Sequence, residues 1–436
     1  MSSTAAGPIG AQGVLLYAAG SLGTGVFSTV PSVLLLYFCT ETMRIPAVVA
    51  GMIVFIPKLW GLFWDPFVGA WSDRTSTRFG RRRPFIAAGA VGTAVAFGLL
   101  FSPPFPPAGW QAALWIGASY CALVTCYGLF AVPYVALPSE IVEDGASRAR
   151  LVGWRMTAAM TGVLAGAGFA PLLVAGHGGG RAGYAAMAVW IGTGAMLAMA
   201  CPLLMLRNRD RTTLRKRQPH SALGSLRSAF QDRAYRPLIA AYVCILGGAG
   251  MISAETPYLL TMALGQDERQ IGTVLGVMLI VASLLAPAIA RASRRVAPLR
   301  LLVACIATYF LAAAGITAGS FGLCGWNAIL GWYALAGLAF AGLQVLPYTL
   351  VAELTRDRAA AGLATEAAMT GVWTAAEKLG LALSPLLTGL VLGLQGHDHR
   401  ALGLPILIVM GVLFLLPIPL LRAFGAAAPQ IAGTRP

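Results

Sequence analysis

The chain has 436 residues, 58% of them hydrophobic and only 11% charged, and its mean hydropathy is +0.75. So much apolar surface cannot be hidden in one soluble core under a polar coat, so most of the chain has lipid as its solvent. The net charge of +15 does not mark a nucleic-acid binder, because the arginines sit in short loops and no soluble basic domain is left to follow a phosphate backbone.

A spanning helix needs about 20 largely apolar residues. Runs of that kind, separated by Pro, Gly and charge, predict spans over 13–38, 46–71, 84–102, 110–138, 151–175, 183–206, 236–262, 271–290, 299–319, 327–352, 366–394 and 402–424. No basic stretch precedes the first run, which is too long for a cleavable signal, so it reads as the first membrane helix. Of 31 Lys and Arg, 24 lie on one side of this topology and only Arg44, Arg181, Arg269 and Arg400 on the other. The excess of positive charge places both termini in the cytoplasm. All but three of these cations are Arg, which together with the abundance of Ala and Gly points to a bacterial genome and thus to a bacterial inner membrane. The seven cysteines show no CxxC spacing and read as small buried hydrophobes.

The basic stretch 207–235 divides the chain into an N-terminal half, 1–206, and a C-terminal half, 236–424, with a tail at 425–436. LFAVPYVALPSE from Leu129 and LQVLPYTLVAEL from Leu343 occupy the same place in each half and point to duplication. The expected fold is an all-α integral membrane protein of the major facilitator type, two six-helix bundles around a cavity that opens alternately to either side. Gly162, Gly166 and Gly168, and Gly247, Gly248 and Gly250, supply the small residues that close helix packing in lipid requires. Prolines such as Pro66, Pro133, Pro257, Pro347 and Pro385 are tolerated inside such bundles.

A charge at the bilayer centre costs about 2.5–3.5 kcal/mol even on the lenient insertion scale, so Lys58, Asp65, Arg155, Glu255, Glu377 and Lys378 each demand a reason. Lys58 and Asp65 are seven residues apart, two turns or about 10 Å along one helix face. Adjacent Glu377 and Lys378 point about 100° apart, so only one can face a cavity squarely. A single carboxylate does not make the oxygen cage that sodium prefers, but it binds a proton, and movement of a nearby ammonium would load and unload it. Asp65, Lys58 and Lys378 are therefore the expected coupling group, with H+ as the ion and Na+ as the alternative. Arg155 either snorkels to the interface or contacts substrate. Glu255 reads as a wet interfacial glutamate, a gate acid or a substrate contact. Trp373, Thr374, Gln344 and Tyr134 are the expected cavity lining, against the plainer reading of core or lipid-facing side chains.

At the end of the second span, Gly69-Ala-Trp-Ser-Asp73-Arg74 followed by Gly80-Arg81-Arg82-Arg83 resembles the loop motif of the major facilitator superfamily, with four extra residues before Gly80. That longer form is similar to the glycoside-pentoside-hexuronide:cation symporters, the melibiose permease family. Lys58-Leu-Trp-Gly61, Asp65-Pro66, Arg148-Ala-Arg150-Leu151 with Arg155, Glu366, and Thr374-Ala-Ala-Glu-Lys378 carry the likeness over most of the chain. Residues 77–86 are also similar to the loop of the plant sucrose carriers. The resemblance implies a cation-coupled carrier of sugars or glycosides, a cavity-facing Arg155, and Lys378 rather than Glu377 toward the substrate. It also exposes departures. Gly61 stands where the second coupling acid belongs, Ala131 and a position near Gly25 replace two further acids, and Val135 replaces the sugar-stacking aromatic.

At the cytoplasmic helix ends, Asp73 is expected to pair with the arginines of its loop. Glu140, Glu353 and Glu366 lie near Arg148, Arg356 and Arg358, where ion pairs would lock an inner gate. The loop histidines, His397-Asp-His399 included, make no metal site, and no phosphate loop exists for ATP. The expected partners are a small organic solute and membrane lipid, without nucleic acid, cofactor, metal or obligate protein partner, and the chain is not expected to be an enzyme. Two other readings stand beside import. Gly153, Gly162 and Gly166 partly match the antiporter helix of exporters, although Ala167 replaces its proline, and a receptor or assembly factor on the same scaffold would not transport at all. The absent sugar acids and the cationic, aromatic cavity candidates favour an anionic or amphipathic solute beside neutral sugars.

Overall fold

The computed structural model describes residues 10–142, 144–206, 232–360, 366–395 and 403–428. Among these there is no strand, and twelve helical segments are long and apolar enough to cross a membrane. The helices are α1 Ala11–Tyr37, α2 Ala47–Arg74, α3 Arg83–Phe101, α4 Trp110–Ile141, α5 Gly145–Gly176, α6 Gly180–Leu206, α7 Tyr235–Tyr258, α8 Arg269–Ala292, α9 Pro298–Ser320, α10 Trp326–Ala360, α11 Glu366–Gln395, α12 Gly403–Leu415 and α13 Pro417–Ala427. Lipid offers no partner to a backbone amide, so helices that satisfy themselves are the one solution open to such runs.

Each predicted span overlaps an observed one, and the largest departures lie at polar ends. The helix α5 starts at Gly145 rather than 151, because the Asp144 side chain caps it by accepting from Ala146 N and Ser147 N at 3.3 and 2.8 Å. The helix α10 continues past 352 through Arg356 and Arg358, since the backbone ladder carries on into water after the apolar run has ended. The last span is broken at Leu416, where Pro417, lacking an amide hydrogen, opens α13.

The first and seventh spans both end in a π-turn, Phe38–Thr42 after α1 and Leu259–Ala263 after α7. Each closes in the same way, with Met43 N to Phe38 O at 2.9 Å and Ile45 N to Cys39 O at 2.8 Å matched by Leu264 N to Leu259 O at 3.0 Å and Gln266 N to Leu260 O at 2.8 Å. The next residue is left-handed in both, Arg44 at φ 53° and Gly265 at φ 62°. This is a second mark of duplication, one that hydropathy does not carry.

The contacts divide the chain into two compact units. One holds residues 1–45 and 56–217, the other 46–55 and 218–436. The first turns of α2 thus group with the second unit, in which a Cβ on Gly389 would lie 2.6 Å from Ala47 O. In the first unit α1 packs on α5 and α6, and α3 on α4 and α6. The crossing of α1 and α5 is backbone on backbone, for a Cβ on Gly162 would overlap Leu22 O and one on Gly25 would overlap Ala159 O. The second unit repeats the plan with α7 on α11, α12 and α13, α9 on α10, and α8 on α10 through Gly337 and Met278. All seven cysteines are free. Only Cys39 and Cys305 are buried and the other five are half-buried, a correction to the core reading, Cys324 lying in the loop between α9 and α10. The 207–231 part of the predicted linker and residues 429–436 of the tail fall outside the described residues.

Candidate functional site

In the first unit, a polar cluster forms where α1, α2, α4 and α5 come together. The Asp65 carboxylate lies against Gly128 of α4, where a Cβ would be 2.8 Å from Oδ1 and 2.8 Å from Trp64 Cδ1. Glycine there gives the acid its place. Trp64 Nε1 donates to Thr125 O at 2.8 Å and Trp60 Nε1 to Thr125 Oγ1 at 3.0 Å, which fixes the rotation of α2 against α4. Tyr127, one residue before that glycine, is within electrostatic reach of both Asp65 and Arg155 and shares a hydrogen bond with Thr24 of α1. Arg155 is half-buried and its Nε has no hydrogen-bond partner among the described residues. The Lys58 ammonium donates to Ser32 Oγ at 3.4 Å.

Tyr134 is buried in this unit and its hydroxyl is already engaged, donating to Tyr17 O at 2.6 Å beside Ser21 Oγ at 2.9 Å. The structure therefore places it as a lock between α1 and α4. Two of the positions where the family carries an acid are closely packed here. Gly25 faces the backbone of α5, and a Cβ at Gly61 would already meet Val124 Cγ1 at 3.1 Å.

The second unit holds an aromatic cluster from α7, α10 and α11. Trp373 is buried and stacks on Tyr242, ring centroids 4.1 Å apart and 10° from parallel. Tyr348 lies edge-on to both rings and donates to Glu377 Oε2 at 2.5 Å. Lys378 is within electrostatic reach of Glu377. It is Glu377 that meets the aromatic cluster, whereas the resemblance selects its neighbour. Thr374 is exposed and Gln344 half-buried. Tyr348 occupies in LQVLPYTLVAEL the place of Tyr134 in LFAVPYVALPSE, so aligning the repeats was the signal for it. Tyr127 lies two turns before Tyr134 on one face of α4, a spacing that would have found it too.

Glu255 is 3% exposed within the second unit and its Oε2 has no hydrogen-bond partner among the described residues. A wet interfacial position is thereby corrected. Its helix is sealed on that side by α9 and α12 rather than by headgroups.

At the loop after α2, the Arg82 side chain is buried to 5% exposure and gathers three partners, Asp73 Oδ1 at 2.5 Å, Glu140 Oε1 at 2.6 Å and Ser72 Oγ. Arg81 adds a second bond to Glu140 at 2.6 Å. Burial works against the Arg82 charge, but the two carboxylates outweigh it and hold the guanidinium above its usual range. Gly80 has φ 97°, a left-handed turn that suits glycine, and Arg74 is exposed. The partner of Glu140 is thus this loop rather than Arg148, which donates to Val142 O at 3.1 Å.

In the second unit Arg358 pairs not with Glu353 but with Asp232, at 2.6 Å, and Asp232 also accepts from Ala234 N and Tyr235 N to cap α7. Desolvation raises the Asp232 carboxyl, but Arg358 and the two amides outweigh it and hold it below the usual carboxylate range. Glu353 lies within electrostatic reach of Arg356 and Asp357. The side chain of Glu366 lies outside the described residues, as do His397 and His399.

Among solved structures, the nucleoside transporter NupG superposes with a TM-score of 0.70 at 13% identity, covering 95% of this chain and 99% of that one, a likeness of fold alone. The chain is 32% identical over 189 residues to a putative glycoside/cation symporter of Escherichia coli, which covers 42% of this chain and 41% of that protein. It is 30% identical over 131 residues to the sodium-dependent lysophosphatidylcholine symporter 1 of Xenopus tropicalis, 30% of this chain and 25% of the relative. These alignments span less than half of either relative's length. The family described as MFS/sugar transport protein matches residues 16–426, and over that length, with twelve spans and the arginine loop locked as described, the chain belongs to this family of major facilitator transporters.

Proposed function

We propose that the chain is a secondary active transporter that moves a sugar, glycoside or related organic solute together with a cation by alternating access, and that the cation is a proton carried by Asp65. The observation that carries this reading is the Asp65 carboxylate seated over Gly128, with Tyr127 in electrostatic reach of it and of Arg155. One carboxylate beside a phenol and a guanidinium suits a proton better than a sodium ion, which asks for several converging oxygens. Relatives named as a glycoside/cation symporter and a glucuronide carrier homolog support the solute class. The half-buried Arg155 beside the Asp65 cluster favours an anionic member of that class, such as a hexuronide. The likeness to a relative named as a sodium-dependent lysophosphatidylcholine symporter makes a lysolipid the amphipathic alternative and sodium the alternative ion. The site of action is a bacterial inner membrane with both termini cytoplasmic.

The test uses the purified protein in sealed vesicles with a thermal-shift panel to choose the solute. Addition of the solute outside is expected to draw protons inward with and without sodium, and Asp65→Asn is expected to abolish that movement. Strict sodium dependence without a pH change overturns the proton. Proton flow opposite to solute makes the protein an exporter, and unaltered activity in both Asp65→Asn and Lys378→Ala makes it a non-transporting receptor.

A further inference from the structure

Glu255 has no place in that coupling scheme, yet it is built as a site. It lies in α7 two residues before Pro257 and one turn before the π-turn Leu259–Ala263. Its carboxyl lines a small cavity with Tyr258, Leu259, Ser320, Gly403 and Ile406, contributed by α7, the π-turn, the end of α9 and the start of α12. The space holds about one water molecule. Ser320 donates to Thr317 O at 2.6 Å, which leaves its lone pairs free to accept from such a water.

The groups facing Glu255 are neutral. Tyr309 of α9 and Tyr333 of α10 stand within electrostatic reach of it, but their hydroxyls are engaged, Tyr309 donating to Ala249 O at 2.6 Å and Tyr333 sharing a hydrogen bond with Thr256 at 2.8 Å. Tyr258 is the phenol of its own helix at the cavity. Among the described residues, Glu255 makes no ion pair, and no charged side chain of α8, α11, α12 or α13 acts on it electrostatically. An ionised carboxylate in such a place has neither cation nor donors and is far costlier than the neutral acid. A carboxyl that served packing alone would have its oxygens bonded, as buried polar atoms nearly always are. Here Oε2 is buried without a hydrogen-bond partner among the described residues, in a residue that borders the cavity.

We propose that Glu255 is a proton-binding site inside the C-terminal unit, which holds its proton while the cavity is closed and exchanges it with the cavity water at the Ser320 end. On release the O–H bond of the acid breaks with its electron pair left on the carboxylate, and the proton forms a new O–H bond on that water, giving a hydronium that hands it on to bulk water once the cavity is open to it, so the exchange needs only water.

Infrared difference spectra of the purified full chain in lipid vesicles, recorded on raising the pH without solute or gradient, test this. The wild type is expected to lose a protonated-carboxyl band. That loss is absent in Glu255→Gln and retained in Asp65→Asn. An identical band change in wild type and Glu255→Gln overturns the site. Because glutamine replaces the neutral acid nearly atom for atom, the variant is expected to fold with an unchanged or raised Tm at neutral pH. A variant that fails to accumulate, or melts well below wild type, shows that the ionised form is the one required and overturns the proposal as well. The measurement involves no transport, so its outcome is separable from the role of Asp65.

Discussion

Gly128 shows how far one missing methyl group reaches. Replacing it with alanine puts a Cβ 2.8 Å from both the Asp65 carboxylate and the Trp64 ring, and neither can retreat freely while Trp64 holds Thr125. Gly128→Ala is therefore expected to cut solute-driven proton uptake at least tenfold while the protein still accumulates in the membrane, a split readable by uptake against expression. Uptake at the wild-type level would mean that Asp65 does not need its seat. At Gly265, φ of 62° is left-handed, a conformation that costs an L-residue about 1–2 kcal/mol. Gly265→Ala should lower the Tm accordingly, whereas Arg44, which meets that cost already at φ 53° in the matching turn, should gain stability on replacement by glycine.

Between elements, close backbone approach and buried ion pairs decide the packing. Gly162→Ala forces α5 away from Leu22 of α1, and overpacking of that kind costs about 1–3 kcal/mol. Gly153→Ala on the same helix meets nothing within 4 Å and serves as the control in a thermal melt. Arg82→Gln removes the guanidinium that joins Ser72, Asp73 and Glu140, and because Arg81 still holds Glu140 and Asp73 is half exposed the loss is expected to be about 1 kcal/mol. Arg82→Lys should not rescue it, because one ammonium cannot spread over Ser72, Asp73 and Glu140 as the guanidinium does. For Asp232, whose carboxyl is held below its usual range by Arg358, the sign runs one way. The stabilisation is present above the unfolded carboxyl's titration near pH 4 and is lost as pH falls through the lower folded value. Melts of wild type and Asp232→Asn should differ at neutral pH and converge in acid. A constant gap would remove the ion pair from the account.

At the scale of the whole molecule, 24 cationic side chains on one set of loops against four on the other predict that reporters fluorescing only in the cytoplasm light up at either terminus. A dark terminus would refute the orientation. The duplicated plan is also visible at this scale, since both units use the first helix of the half as the hub and finish it with a π-turn and a left-handed residue. Seven free cysteines mean that a reducing agent should leave the Tm unchanged.

The twelve spans and the arginine loop were legible in the residues alone, because lipid imposes a length, a polarity and an internally bonded backbone on any segment that crosses it. Asp65 and Arg155 announced themselves as charges too costly to be accidental in apolar runs. Other features were beyond the sequence. That Glu377 meets Tyr348, that Arg358 chooses Asp232, that Tyr134 is locked in the core and that Glu255 is buried beside a small cavity all depend on how far each helix is rotated about its axis. That rotation is settled by contacts such as Gly162 on Leu22 and Trp64 on Thr125, between residues far apart in the chain, and hydropathy along a single helix carries no record of them.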